Sequence, residues 1–221
     1  MKLTGIFTHF KRQTSLAGRS TFRIRHAYLL NGILSLMTRS PKPFPIPIRA
    51  KGMEIFKKYE TNGTVLCSLH LPLTKVALRY LIENGFKPTA AITGDQHLKN
   101  SMAVWGINDR IPALQTGPFV LNRAKSILRQ GGTVVALADQ KLGGKISPNI
   151  FLLAQMLNAR VVYFFSELRP DGTIDVSFFE SDIAGLRAEN AVGSQIMELQ
   201  NYVTGILGRY GNTKLLYPAS K

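Results

Sequence analysis

The chain is poor in cysteine, in acid and in signature motifs. Cys67 is its one cysteine, which excludes an intramolecular disulfide and any cysteine–histidine cluster at zinc spacing. Acid is scarce: 13 Asp and Glu stand against 28 Lys and Arg, for a formal net charge of +15, and none precedes Glu54. Long hydrophobic runs are missing too, since the apolar patch HAYLLNGILSLM (26–37) falls short of the roughly 20 residues a membrane-spanning helix takes. There is no G-x-S-x-G elbow, no G-x-x-x-x-G-K-[ST] loop, no G-x-G-x-x-G after a strand and no H-E-x-x-H. RQGG and KLGGK are too short for a phosphate cradle and read as a helix stop and a flexible loop, although Lys141 and Lys145 around Gly143-Gly144 are spaced to touch a phosphate.

What is present is enough for one domain. At 221 residues and 45% hydrophobic composition the chain can bury a continuous core. The positive charge favours polyanionic partners, either nucleic acid or an anionic bilayer surface. Trp105, Phe119 and Tyr163 read as core, and no ladder of alternating aromatic and basic residues accompanies the charge, so nucleic acid ranks last. The charge is concentrated at the start, with Lys2, Lys11, Arg12, Arg19, Arg23, Arg25, Arg39, Lys42, Arg49 and Lys51 ahead of the first acid. A basic stretch beside a short apolar helix suits either an interfacial anchor on anionic lipid or a core helix with a solvated arm.

Prolines at 41, 43, 45 and 47 exclude a helix and a central strand from SPKPFPIPIRAKG (40–52) and favour an extended connector. The composition therefore divides the chain into a basic segment, 1–52, with its short apolar helix and Pro-rich connector, and a main α/β body, 53–221. MEIFKKYETNG has apolar residues at helical offsets and predicts a helix ending at Asn62-Gly63. TVLCSLH (64–70), TAAIT (89–93), TVVALAD (133–139), RVVYFFSE (160–167) and TIDVSFFE (173–180) predict strands, most of them continuously apolar as strands buried on both faces are. PLTKVALRYLIENG, FVLNRAKSILRQGG, SPNIFLLAQMLNA and GSQIMELQNYVTGILGRYG predict helices around and after them. The alternation implies an α/β fold: a single domain with a mostly parallel central sheet flanked by helices, and an antiparallel hairpin at one edge, turned at Pro170-Asp171-Gly172.

In open α/β sheets functional groups gather at the carboxyl ends of strands, and His70 and Asp139 both fall at such ends. An imidazole there can take the proton of an attacking hydroxyl while helix N-terminal amides stabilise an oxyanion. A lone histidine in that place can equally do no more than hydrogen-bond a loop.

The order of these pieces carries a resemblance. MEIFKKYETNGTVLCSLHLP, LRQGGTVVALADQ and NIFLLAQMLNARVVYFFSELRPDGTIDVSFFE, between about Glu54 and Glu180, resemble the bacterial late lipid A acyltransferases, the lauroyl/myristoyl branch of the lysophospholipid acyltransferase superfamily. The resemblance covers a little over half the chain. It implies an α/β enzyme peripheral to the cytoplasmic face of the inner membrane. Such an enzyme transfers an acyl group from an acyl carrier protein or coenzyme A thioester to a lipid hydroxyl, with the thioester as co-substrate and no other cofactor.

His70 stands at the family's motif histidine, the general base. Five positions on, where the family has an Asp or Glu to orient that histidine, stands Lys75. A lysine accepts no imidazole N–H and disfavours imidazolium. The family's phosphate-binding arginine after its second strand is also absent; Lys99 and Arg110 are the nearby cations in and beyond AITGDQHLKNS. Three explanations follow. Another carboxylate, Asp139 or Asp95, orients His70; the acceptor is a less demanding amine; or the scaffold has lost acyl transfer and binds a lipid or partner. On the catalytic reading His70 and Asp139 are the reacting pair, and Lys75, Lys99, Arg110 and Lys141 are candidates for holding an anionic substrate or carrier.

Overall fold

The inner runs of β-branched, aliphatic and aromatic residues pair here at the middle of one sheet, because they are apolar on both faces and must be covered by helices on both sides. The structure, a computed structural model, describes residues 20–36, 46–57, 63–94, 101–103, 110–139, 144–181 and 188–210. The strands are β1 (Ile48–Lys51), β2 (Thr64–Ser68), β3 (Ala90–Thr93), β4 (Ser101–Ala103), β5 (Arg110–Gln115), β6 (Thr133–Leu137), β7 (Arg160–Leu168) and β8 (Ile174–Glu180). They lie in the order β1-β8-β7-β2-β6-β3-β5-β4. The helices are α1 (Ser20–Leu36), α2 (Thr74–Glu83), α3 (Val120–Arg129), α4 (Asn149–Met156) and α5 (Ala188–Arg209). The chain is thus an α/β fold with a mostly parallel sheet; only β4 against β5 and β8 against β7 run antiparallel.

The β7–β8 hairpin turns at Pro170-Asp171-Gly172, with Gly172 at φ 81° and the Thr173 amide donating to Asp171 Oδ1. It is not the last pair of the sheet, as the sequence suggested. β1, cut from the end of the Pro-rich stretch, lies outside it and runs parallel to β8, Ile48 level with Ile174. Arg49 on β1 ties the two together through Asp175 (3.1 Å), Asp171 (2.9 Å) and Thr173 (2.6 Å). After β1 the chain turns at Gly52, φ 82°, where a Cβ would fall 2.0 Å from the Phe178 carbonyl oxygen, so only glycine fits. The helix expected from Met53 is a five-residue 3-10 turn, Met53–Lys57, whose Phe56 packs on Phe86 and edge-on to Phe178. The rest of that stretch, 58–62, lies outside the described residues.

α1 settles its own alternative in part. Its Ala27, Leu30 and Leu34 are buried in the same core as Val65, Leu66 and Phe164, while Tyr28 and Leu29 are exposed. It is a core helix with an apolar outer edge. Among the described residues no helix is long and apolar enough to cross a membrane.

The topology makes one place special. From β2 the chain crosses over β6 to reach β3; from β6 it crosses back over β2 to reach β7. Right-handed crossovers in opposite directions put α2 and α4 on opposite faces, so the loops leaving the adjacent β2 and β6 part from each other. Doubly wound proteins bind ligands at such a point, outside the carboxyl ends of the strands.

Candidate active site

His70 and Asp139 both lie at that point, just beyond the ends of β2 and β6. β2 and β6 run in register from Thr64↔Thr133 to Ser68↔Leu137, and the ladder extends one step further, the Ala138 amide donating to Ser68 O at 2.8 Å. Each functional residue comes two positions after the end of its strand, so the two arrive side by side. Asp139 Oδ1 accepts the His70 backbone N–H at 2.9 Å and lies 2.9 Å from His70 Nδ1. The Asp139 side chain is fully buried (0% exposed), whereas His70 is 43% exposed. Against an ionised carboxylate, which only accepts, a neutral imidazole carries its proton on Nδ1 and its lone pair on Nε2.

The segment carrying His70 is held from several sides. The Leu71 amide donates to Leu69 O at 2.7 Å, closing a three-residue turn with His70 at its centre. Leu69, Leu71 and Leu73 are buried, leaving the imidazole as the exposed group between them. The Thr74 hydroxyl lies 2.8 Å from Leu71 O and 3.1 Å from Leu69 O and shares its proton between them. Leu73, at φ 68°, adopts a left-handed conformation that costs a branched-side-chain residue about 1–2 kcal/mol. Its amide donates to Asn31 Oδ1 of α1 at 3.3 Å, so α1 braces the turn. On the other side Asp139 is fixed by a bridge to Ile146, with the Ser147 amide donating to Ala138 O at 2.7 Å.

The buried negative charge of Asp139 reaches its neighbours. Burial first, and Asp139 second, push the Cys67 thiol far above its usual range, so the single cysteine is an unreactive core residue. The same two causes, in the same order, raise the Tyr28 phenol on α1. Tyr28 precedes Asn31 by one helical turn, on the part of α1 that meets the histidine turn.

The other sequence candidates scatter. Lys75 is half-buried in the first turn of α2, one turn downstream of the histidine loop. Arg110 does not join the site. It opens β5, three residues before Ala113, which is level through Ala91 with Val135; Asp139 comes four residues beyond Val135. The two are therefore separated by roughly 23 Å along the strand direction, toward opposite ends of the sheet. Lys99, Lys141 and Asp95 lie outside the described residues.

Sequence reasoning overlooked Asn31, Thr74 and Leu73, which shape the histidine turn. Asn31 left a trace, a lone amide in the apolar HAYLLNGILSLM run. Thr74 and Leu73 left none, because a left-handed leucine has no sequence signature. No family model matches the chain, and no curated protein matches it.

Proposed function

We propose that the protein is an acyltransferase working at a membrane surface. It takes an acyl group from an acyl carrier protein or coenzyme A thioester and passes it to a hydroxyl or amine of a lipid or small molecule. The observation that carries this reading is the 2.9 Å contact between His70 Nδ1 and the buried Asp139 carboxylate at the point where the sheet's connections diverge. The pair alone would activate any hydroxyl or amine; the ordered resemblance of the surrounding segments selects acyl transfer.

In this mechanism His70 Nε2 removes the proton from the acceptor as its oxygen or nitrogen attacks the thioester carbonyl. The tetrahedral intermediate collapses with cleavage of the C–S bond, and the imidazolium returns its proton to the departing thiolate. The buried Asp139 carboxylate holds the ring and balances the imidazolium charge. Lys75, with Lys99 and Lys141, is assigned to an anionic part of the donor or acceptor. The +15 charge and the exposed Arg25, Tyr28 and Leu29 of α1 support a cytoplasmic protein peripheral to the inner membrane, resting on anionic lipid with the His70 turn toward it. The alternative, a non-catalytic lipid- or partner-binding protein on the same scaffold, rests on the missing motif acid; the Asp139 carboxylate 2.9 Å from His70 Nδ1 supports the catalytic reading over it.

The test is thioester consumption. The protein is incubated with acyl carrier protein and coenzyme A thioesters and a total lipid extract, with free thiol and acylated products followed together. The expectation is donor-dependent product that vanishes in His70→Ala; turnover unchanged in that variant would overturn the assignment.

A further inference from the structure

Around the β7–β8 hairpin the arginines are answered by carboxylates: Arg49 by Asp171 and Asp175, Arg160 by Glu180, and Arg169 and Arg209 by Glu167. On α3 the pattern breaks. Its sequence, VLNRAKSILR, carries Arg123, Lys125 and Arg129 and no acid, and none of the three makes an ion pair among the described residues. Arg123 and Arg129 are exposed. From Arg110 to Ser166 the chain holds a single acid, Asp139, and that carboxylate is buried against His70. Nothing within this stretch offsets the charge at the surface.

The unanswered charge borders exposed apolar surface. α3 packs beside α4, and α4 beside α5, on the side of the sheet away from α1 and α2. Phe119, placed in the core by its sequence, is 67% exposed at the head of α3. α4 has no charged residue and turns Leu152 and Met156 outward, one helical turn apart, and Met197 is exposed on the neighbouring α5. Six large apolar side chains are exposed among the described residues; these are four of them, and the other two, Tyr28 and Leu29, lie across the sheet on α1.

The occupant follows from charge and shape. Two copies of an acid-free face repel each other, so this is no self-association surface. A bilayer held against α1 lies on the far side of the sheet from α3 and α4. The phosphates of a free nucleotide take a concave cradle of donors, whereas Arg123 and Arg129 stand six residues, about 9 Å, apart along the convex side of a helix. A protein surface spans such a face, its acids meeting the arginines and its apolar side chains meeting Leu152 and Met156. Methionine suits this contact, because its unbranched side chain adapts to what it meets.

We propose that the outer faces of α3 and α4 dock an acidic helical protein, the acyl carrier protein that brings the thioester. The inference rests on the acyl-transfer reading and goes beyond it, selecting the carrier protein over free coenzyme A as donor and giving its seat. Both helices start at the carboxyl edge of the sheet: α3 follows β5, and α4 follows the bridge between Asp139 and Ile146. A carrier seated on them holds its thioester arm at the edge where His70 lies.

Carrier protein bearing its thiol arm but no acyl chain, titrated into the full-length protein by calorimetry, tests docking without turnover. Saturable binding that weakens as salt rises is expected. A double variant, Arg123→Gln with Arg129→Gln, replaces exposed, unpaired residues by one of similar helix propensity, so the fold holds. It should weaken carrier binding about tenfold and raise KM for the acylated carrier by a similar factor at unchanged kcat. Its binding to phosphatidylglycerol vesicles should stay at the wild-type level. Absence of saturable carrier binding, wild-type carrier affinity in the double variant, turnover of acyl-coenzyme A at or above that of the acylated carrier, or loss of vesicle binding with carrier binding kept would each overturn the proposal. The acyl-transfer reading is judged separately, by the product that depends on His70.

Discussion

One oxygen of Asp139 receives both the backbone N–H and the ring Nδ1 of His70, each at 2.9 Å. A single carboxylate thus fixes the position of the histidine's main chain and the orientation of its ring. Replacing it by asparagine keeps the shape but puts an uncharged amide against the ring, and the imidazolium loses its counter-charge. Asp139→Asn should lower kcat by on the order of 10²- to 10⁴-fold with a small change in KM. Steady-state kinetics with the thioester donor would measure it, and a loss confined to KM would remove Asp139 from the reaction.

Lys75 stands where a helix least tolerates it. The first turn of α2 holds no acid, and a cation there opposes the positive end of the helix dipole. Its presence is better explained by what it meets than by stability. Lys75→Ala removes a dipole penalty of about 0.3–1 kcal/mol, set against whatever contact the ammonium makes. It should raise KM for the anionic substrate more than it lowers kcat. Denaturant titration and initial-rate kinetics on one preparation would separate the two effects.

Leu73 sets conformational strain against burial. A glycine would relieve about 1–2 kcal/mol of left-handed strain. It would also remove a fully buried leucine side chain, a loss of about 2–5 kcal/mol when the cavity is included. Burial wins, so Leu73→Gly should destabilise the protein by about 2 kcal/mol. Activity should fall more steeply than stability, because the same substitution loosens the turn that centres on His70. Chemical denaturation beside activity measured well below the unfolding midpoint would show it.

At the hairpin turn the Thr173 hydroxyl and amide, and then Arg49, hold the Asp171 carboxyl below its usual range. A carboxyl depressed in the folded state contributes stability above its unfolded pKa, and that contribution is lost as pH falls through the folded value. The stability gap between wild type and Asp171→Asn should therefore stay constant from neutral pH to about pH 5 and close below about pH 4. Thermal unfolding over pH 3–8 would trace this; a gap that persisted at the acid end would assign the effect to geometry alone.

The inner strands were legible because nothing competes with their sequence. VVAL of β6 and VVYFF of β7 are apolar throughout, and such runs have no stable place except between neighbours. β5 was not legible. Its sequence, RIPALQ, carries Pro112, which has no N–H for a ladder; pairing with β3 begins only one residue later, at Ala113. β1 was hidden by four prolines, yet its paired residues start at Ile48, just after the last of them. The 3-10 turn at Met53 was misread because apolar offsets resemble helix periodicity, while the packing of Phe56 on Phe86 and Phe178 decides the conformation.

The site divides in the same way. The strand-end positions of His70 and Asp139 follow from local pattern, whereas their partnership spans 69 residues and depends on β2 lying beside β6. A motif search at short spacing finds only Lys75. Strand order, a property of the whole chain, supplies the carboxylate. Arg110 was misplaced for the converse reason: closeness in sequence to Lys99 says nothing of which end of a strand a residue occupies.

β1 also bears on how the chain can be cut. It covers the outer side of β8 along four residue pairs, with Ile174 N–H reaching back to Pro47 O. A truncation placed at Met53, where composition changes, would strip that cover and bare a row of amide donors and carbonyl acceptors on a seven-residue strand. Open strand rows of this kind recruit other chains, so the shortened protein should self-associate, and a fragment meant to be minimal must begin before Ile46.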